Sequence, residues 1–370
     1  MRSEPGLIFL LSICARTFII YDMELDRTCA EYASQKAVEL LNIDSPSGFT
    51  KKAALWVRDS FASLGFDVCL TNKGAVLVDL GGQKSENGAV LFAAHADTLG
   101  AVIAEIKGNG RLRISPVGGL KACNTETENV CIYNRNGDSF EGTIQLINAS
   151  SHVNKDLDSI TRDFNTVEVV LDEDVRSADD VRKLGLEVGD FVCPSPRARI
   201  TSSGYIKSRY LDDKLSVGIL LGIAKYIKDN QISLNRKVYF LITVYEEVGH
   251  GGSTSIPSDV REAISVDMGC VGDGLRCTER QASICVKDSG GPYDYDVTDA
   301  LIKAAVREKA DYVTDVYPFY GSDVEAALRA GYDIKHGLIG SGVYASHGYE
   351  RSHVDGVWNT MKVIKGYLGI

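Results

Sequence analysis

Residues 238–247 read VYFLITVYEE, an apolar run that ends in two adjacent carboxylates and precedes the glycine-rich VGHGGS. The apolar part is short and rich in β-forming residues, which is typical of a strand at the centre of a parallel sheet. A sheet interior does not tolerate neighbouring carboxylates, so Glu246 and Glu247 are expected at the carboxyl end of the strand. Because α/β proteins bind their ligands at that end, the run predicts both the fold class and the place of a functional site.

Two other apolar runs end in the same way. AVLFAAHAD, residues 89–97, carries His95 and Asp97 at its close, and AISVD, residues 263–267, ends on Asp267. Imidazole and carboxylate groups are common ligands of divalent metals. Three strands that each end in such groups predict a metal centre at one edge of the sheet and indicate a metal-dependent hydrolase.

Strands and helices alternate up to about residue 115 and again from about residue 206, which predicts an α/β fold with a mostly parallel sheet flanked by helices. Helices are expected over residues 50–65, 215–229, 296–310, 322–331 and 354–368.

The segment between these two parts has a different pattern. It offers the β-type runs VCIYN, FEGTIQLIN, NTVEVVLD and DFVCPS, separated by polar turns. Such a segment predicts a small β-barrel inserted into the α/β domain. We therefore expect a catalytic domain of residues 23–115 and 206–370, and an inserted domain of residues 116–205 that serves assembly or regulation.

The amino terminus contains a short apolar stretch, LIFLLSICA at residues 7–15. This stretch is too short to span a bilayer and lacks a clear cleavage site, so a weak signal peptide is the less favoured interpretation. From Met23 onward the chain reads as an amphipathic helix. We predict that Met23 is the natural start and that residues 1–22 are a non-native leader.

Composition limits the classes of partner and compartment. The formal net charge of −10 leaves no basic stripe for a nucleic acid. Nine cysteines occur without a CxxC pair, and their odd number favours free thiols in a reducing, cytoplasmic compartment. Neither a nucleic acid nor a membrane is expected as a partner.

The strand-end groups suit distinct chemical roles. Side chains at positions i and i+2 of a strand share a face, so His95 and Asp97 are expected to point the same way. A metal-bound histidine commonly gives its second ring nitrogen to a carboxylate, which is the role predicted for Asp97. Taken alone, a His-x-Asp pattern is more often an ordinary surface pair.

LDDK, residues 211–214, places Asp212 and Asp213 directly before an expected helix. Aspartate is a favoured N-cap, and an ordinary helix start is the simpler interpretation of this pair. Beside the acidic strand ends, we favour Asp212 as a ligand that bridges two cations. Asp267 has a similar alternative, as the capping residue of the turn that follows it.

Glu246 and Glu247 are harder to explain without a metal. One carboxylate of the pair can bind a cation while the other takes a proton from the water that the cation activates. We assign Glu247 as the ligand and Glu246 as the general base. The remaining ligand is expected in YASHGYERSH, residues 344–353, which offers both His347 and His353.

Taken in order, the motifs HAD, LDD, EEVG and VD and a carboxyl-terminal histidine resemble the tetrahedral (TET) aminopeptidases. These form metallopeptidase family forty-two, the glutamyl or deblocking aminopeptidases, some of which were once labelled endoglucanases. Further similar segments are PSGF, SPVGGLKA, SADDVRKLGLEVGDFV and FYGSDVEAALRAG. The likeness covers nearly everything after Met23.

The resemblance implies a zinc-exopeptidase type of sheet and two divalent metal ions. His95 and Asp267 would bind one ion, Glu247 and the terminal histidine the other, with Asp212 between them and Glu246 as proton shuttle. In such enzymes the Asp212–Asp213 peptide bond is often cis. Alignment on Tyr344 favours His347 as the last ligand, with His353 as its rival.

The predicted function is therefore hydrolysis of amino-terminal peptide bonds, with zinc as the first candidate metal and cobalt or manganese as alternatives. The partners are peptide substrates and further copies of the chain, in a dodecamer built from dimers or in a dimer alone. Two other functions stay open. One is an N-acyl amino acid deacylase or carboxypeptidase of the same fold, and the other is a metal-binding scaffold without catalysis.

Overall fold

The structure is a computed structural model that describes residues 25–84 and 86–370. The predictions about residues 1–22 and a start at Met23 lie outside these ranges. Within them the helices are α1 Arg27–Leu41, α2 Lys51–Ser63, α3 Ala178–Lys183, α4 Leu211–Asp229, α5 Tyr295–Arg307, α6 Asp323–Arg329 and α7 Val354–Leu368. The first nine strands are β1 Asp67–Leu70, β2 Val76–Gly81, β3 Ala89–His95, β4 Gly100–Ile106, β5 Leu112–Val117, β6 Asn129–Tyr133, β7 Ser139–Leu146, β8 Val167–Leu171 and β9 Phe191–Pro194. The others are β10 Arg199–Ile200, β11 Tyr205–Ser208, β12 Val238–Thr243, β13 Val260–Val266, β14 Gly269–Val271, β15 Ala282–Lys287, β16 Tyr312–Val316, β17 Lys335–Tyr344 and β18 Glu350–His353.

A large sheet forms the body of the molecule, in the order β1-β2-β12-β3-β13-β17-β18-β11-β10, with β14, β15 and β16 attached beside this path. Its central strands β12, β3, β13 and β17 run parallel, whereas β1 and β2 at one margin and β18, β11 and β10 at the other pair antiparallel. The predicted α/β class is confirmed, and the parallel pairing is concentrated at the centre of the sheet.

Both faces of the sheet are covered, because alternate residues of its central strands enter different cores. In β3 every residue is buried. Phe92 contributes to the core under α1, α4 and α7, whereas Leu91 and Ala93 contribute to the core that includes Val324 of α6. A strand buried on both faces explains why its sequence is continuously apolar rather than alternating.

The inserted domain is a closed six-stranded barrel in the order β4-β5-β8-β7-β6-β9. Its strands run from Gly100 to Pro194, so the boundaries differ from the expected residues 116–205 at both ends. The sequence pattern assigns β4 and most of β5 to the catalytic domain, because strands and helices alternate up to about residue 115. Their partners lie far along the chain, since β4 pairs with β9 and β5 with β8. At the other end, β10 and β11 belong to the large sheet.

Helix α4 carries the most consequential irregularity of the fold. It begins at Leu211, four residues before the expected start at 215, and Asp212 and Asp213 inside it have non-helical backbone angles. The next residue, Lys214, is fully buried and donates from Nζ to the carbonyl oxygens of Leu40 at 3.1 Å and of Ile43 at 2.6 Å. Burial lowers the pKa of Lys214 to about 8. These bonds join the end of α1 to the start of α4 and so help to place Asp212.

Of the helices formed by the described residues, none combines the length and the apolar character that crossing a bilayer requires.

Candidate metal centre

The carboxyl ends of the central strands bring the predicted site residues to one place. The five expected ligands form two groups, and within each group the donor atoms lie within 4.8 Å of one another. The first group is His95, Asp212 and Asp267, and the second is Asp212, Glu247 and His347. The two groups share Asp212, which is the arrangement expected of a bridging carboxylate.

Asp212 points one carboxylate oxygen at each group. Its Oδ1 lies 3.1 Å from Nε2 of His95, and its Oδ2 lies 3.6 Å from Nε2 of His347. Burial acts to raise the pKa of Asp212, but the hydrogen bonds from His347 and His95 lower it well below the ordinary value. The carboxylate is therefore ionised and available on both sides. The Asp212–Asp213 peptide bond is cis, as the resemblance implies.

The ring of His95 is oriented by a backbone carbonyl. Its Nδ1 lies 3.0 Å from the carbonyl oxygen of Asp97 and 3.5 Å from Oδ1 of the same residue. A carbonyl oxygen can only accept, so Nδ1 bears a proton, and Nε2 is the ring nitrogen that faces the centre. Asp97 makes the expected contact with the second ring nitrogen of His95, but mainly through its backbone carbonyl rather than its carboxylate.

The carboxylate of Asp97 instead organises the acidic pair. It is fully buried and accepts the hydroxyl of Ser47 at 2.5 Å. It also accepts the backbone amides of Glu246 at 3.2 Å and Glu247 at 3.3 Å. Asp97 thus sets the turn in which the two glutamates leave the end of β12, and it contacts the site through them and through His95.

Glu246 and Glu247 lie in one turn of 3₁₀-helix but in different surroundings. Oε2 of Glu247 lies 3.7 Å from Nε2 of His347, and its side chain is only 4% exposed. Oε2 of Glu246 lies 3.7 Å from Nε2 of His95, and its side chain is 17% exposed. Glu246 belongs to neither ligand group and faces the cleft, which fits a group that handles protons.

The charge of the cluster calls for a cation. Burial, followed by nearby carboxylates such as Asp212, raises the pKa of Glu247, and burial likewise raises the pKa of Glu246. Burial and Asp212 raise the pKa of Asp267 to about 7. Oε1 of Glu247 is buried without a hydrogen-bond partner. Oxygen and imidazole donors gathered around unbalanced negative charge fit divalent metal ions.

The geometry separates the two candidate histidines. His347 follows β17 with a left-handed backbone (φ 62°) and turns its Nε2 to Asp212 and Glu247. His353 lies at the start of α7, where Nδ1 accepts the amide of Asp355 at 2.9 Å and Nε2 lies 2.8 Å from the carbonyl oxygen of Ser203. Both ring nitrogens of His353 are used, so neither is free for a metal.

We expect His347→Ala to halve the metal content, from two ions per chain to one, because the second group loses one of its three donors. His353→Ala is the matched control and should keep both ions, although it removes the N-cap of α7. Elemental analysis of the desalted proteins measures both. Loss of metal from the His353 variant alone would contradict the assignment of His347.

Three further side chains, which the sequence pattern does not single out, support the centre. Glu350 accepts the amide of His347 at 2.9 Å and that of Asp212 at 3.1 Å, and burial raises its pKa to about 8. Asp323, at the start of α6, accepts the hydroxyl of Thr243 at 2.6 Å and lines the adjacent cleft. Ser47 contacts Asp97. The motifs YERSH, GSDV and PSGF contain these residues, but nothing in those motifs indicates which backbone groups they bind.

A cleft of about 490 Å³ opens over the centre. Its floor includes Asp212, Glu246, Glu247, Asp267 and His347, and its walls include Lys121, Phe319, Tyr320 and Arg329. A volume of this size suits a small ligand. The carboxylates lie where a small substrate would meet them.

Comparison with known proteins identifies the family and agrees with this fold. Residues 74–363 match the sequence model of the M42 glutamyl aminopeptidase family. The chain is 41% identical over 330 residues to a Bacillus subtilis protein named "Putative aminopeptidase YhfE", and the match covers 89% of this chain and 95% of that one. The chain therefore belongs to the M42 glutamyl aminopeptidase family, and the predicted resemblance is confirmed. It is a hydrolase of the aminopeptidase class.

Solved structures show the same fold at low sequence identity. Aminopeptidase APDkam598 from Desulfurococcus kamchatkensis superposes with a TM-score of 0.81 at 22% identity, covering 92% of this chain and 95% of that one. The TET1 peptidase of Pyrococcus horikoshii, described as able to assemble into a tetrahedron or a large octahedral shell, gives a TM-score of 0.78 at 21% identity. That match covers 90% of this chain and 98% of the other.

Proposed function

We propose that this aminopeptidase uses two metal ions and a glutamate base to hydrolyse the first peptide bond of peptides with a free amino terminus. One observation carries the proposal. The described donors divide into two groups that share Asp212, and the carboxylate of Glu246 lies 3.7 Å from Nε2 of His95 without belonging to either group.

One ion would be bound by His95, Asp212 and Asp267, and the other by Asp212, Glu247 and His347. Carboxylate and imidazole donors suit zinc first, with cobalt or manganese as alternatives. When bound, such ions supply Lewis acidity, which polarises a carbonyl group and lowers the pKa of water.

The protein's own groups provide the proton transfers and the orientation of the substrate. Glu246 takes a proton from the attacking water and later donates it to the leaving amine. Asp97 accepts the backbone amide of Glu246 and so fixes that backbone. The carboxylate of Glu246 therefore stays directed at the cleft. The acidic floor of the cleft attracts the free α-ammonium group of a peptide, which favours cleavage at the amino end.

A substrate panel tests this function. Metal-free protein should be inactive on aminoacyl p-nitroanilides, and added zinc, cobalt or manganese should restore activity. Blocked N-acetyl aminoacyl p-nitroanilides should not be cleaved, because they lack the ammonium group. Cleavage of N-acetyl amino acids instead would identify a deacylase, and binding of two ions without turnover of any substrate would identify a scaffold.

Self-association and a cytoplasmic location are part of the same proposal. The P. horikoshii TET1 peptidase assembles into closed shells, and the likeness of this chain to it supports a homo-oligomer, either a dimer or a dodecamer built from dimers. Sedimentation of the native protein as a monomer would exclude that assembly.

A further inference from the structure

Glu350 connects two site residues that are distant in the sequence. It is the first residue of β18 and is 1% exposed. Its Oε2 accepts the backbone amide of Asp212 at 3.1 Å, and its Oε1 accepts the backbone amide of His347 at 2.9 Å. One side chain therefore sets the backbone position of the shared carboxylate and of the terminal histidine.

The position is an unusual one for a buried carboxylate. In the part of the chain that the structure describes, no lysine or arginine forms an ion pair with Glu350, and Arg209 nearby pairs with Glu128 at 2.8 Å. Burying a carboxylate without a cationic partner is costly. Among the described residues, these two amides are the only hydrogen-bond donors to its carboxyl group, and both belong to residues of the candidate metal centre.

The two ligand groups depend on Glu350 to different degrees. His95 ends a central strand and is fixed twice, because its amide donates to Asp213 at 3.2 Å and its Nδ1 contacts the carbonyl of Asp97. His347 lies in a loop, and its side chain is 36% exposed. Among the described residues, the other hydrogen bond to its backbone is the one from Asn124 to its carbonyl oxygen, at 3.0 Å, and its ring hydrogen-bonds to the backbone of Gly119.

We infer that Glu350 is a positioning residue that sets the affinity of the group formed by Asp212, Glu247 and His347 for its metal ion. The inference rests on the proposed two-metal function. It assigns Glu350 no contact with substrate or metal. Partners that orient metal ligands in this way change metal affinity by about 10–100-fold when they are removed.

Glu350→Gln tests the inference with little change of shape. The amide nitrogen of glutamine cannot accept, so one of the two backbone amides loses its partner. Metal-free protein is titrated with zinc alone and followed by calorimetry in competition with a chelator. The wild type should bind two ions. The variant should bind the ion of the group formed by His95, Asp212 and Asp267 with an affinity within about threefold of wild type. It should bind the ion of the other group about 10–100-fold more weakly.

Asp315→Asn is the matched control for loss of a buried carboxylate. Asp315, in β16, is buried and accepts the backbone amides of Arg276 and Cys277, each at 3.0 Å, away from the cleft. Both substitutions should lower the unfolding temperature of the metal-free protein. Zinc should raise the unfolding temperature of each protein by an amount that depends on metal affinity. Only Glu350→Gln should show a smaller increase than the wild type.

The outcomes separate this inference from the proposed function. Two ions bound by Glu350→Gln with wild-type affinities, or an equal loss of affinity in Asp315→Asn, would overturn the role of Glu350 and leave the two-metal function intact. A wild type that binds a single ion would overturn both. Should the glutamine variant not fold, Glu350→Asp retains the carboxyl group on a side chain one methylene shorter, and it should weaken binding of the same ion.

Discussion

Glu246→Gln is expected to lower kcat by about 10²–10⁴-fold while two metal ions stay bound, since this is the usual contribution of a general base. Glutamine has nearly the same shape and keeps the hydrogen bond from the backbone of residue 246 to Asp97. It cannot take a proton from water. The loss should therefore appear in kcat rather than in metal content or folding.

Glu247→Gln is the natural comparison, because it makes the same chemical change at the neighbouring position. Glu247 belongs to the second ligand group, so its variant should lose an ion as well as activity. Steady-state kinetics on an aminoacyl p-nitroanilide, together with elemental analysis, distinguish the two glutamates. A Glu246 variant that retained more than about a tenth of wild-type kcat would place the base elsewhere.

Asp212→Asn is expected to remove at least one ion and to lower turnover by about 10³-fold or more. The two oxygens of Asp212 face different histidines, at 3.1 Å from His95 and 3.6 Å from His347. Asparagine keeps a single acceptor oxygen and can serve one group at most. A metal ion contributes several kcal/mol to the transition state, and each 1.36 kcal/mol corresponds to about tenfold in rate.

Metal titration of the metal-free variant, followed by a rate measurement at saturating zinc, checks this expectation. Asp229→Asn at the other end of α4 is the control, because its carboxylate is paired with Lys225 on the surface. That variant should bind two ions and turn over normally. Retention of two tightly bound ions by Asp212→Asn would rule out a bridging role.

Much of the site could be predicted because its residues adjoin buried strands. The apolar runs that end at His95 and Asp267, and the run that leads to Glu246 and Glu247, correspond to β3, β13 and β12. Since parallel strands end at a common edge, the groups that follow them had to lie close together. This reasoning needs only the local pattern of each run.

The barrel boundary shows where local patterns become ambiguous. GAVIAEI in β4 reads as one more apolar strand of the preceding alternation. Its pairing with β9, about ninety residues later, places it in the barrel instead. Strand pairing between distant segments leaves no mark in the composition of either strand.

Local sequence patterns are also ambiguous in the choice between His347 and His353. Both follow β17 in a short polar segment, and their residue types are identical. The difference lies in their partners, because both nitrogens of His353 are engaged by Asp355 and Ser203. Glu350 was overlooked for a related reason, since one of the amides that it accepts lies 138 residues away.

The α/β class, the presence of an inserted barrel and the positions that could serve as ligands follow from hydrophobic periodicity and from charge at the ends of buried runs, which are properties of short segments. The family follows from the resemblance of the ordered motifs. Only the folded structure shows which ring nitrogen of His95 and of His347 faces the centre, which glutamate stands apart from the ligand groups, and which carboxylate supports their backbone. Those properties arise from hydrogen bonds between distant residues, and such bonds exist only once the chain has folded.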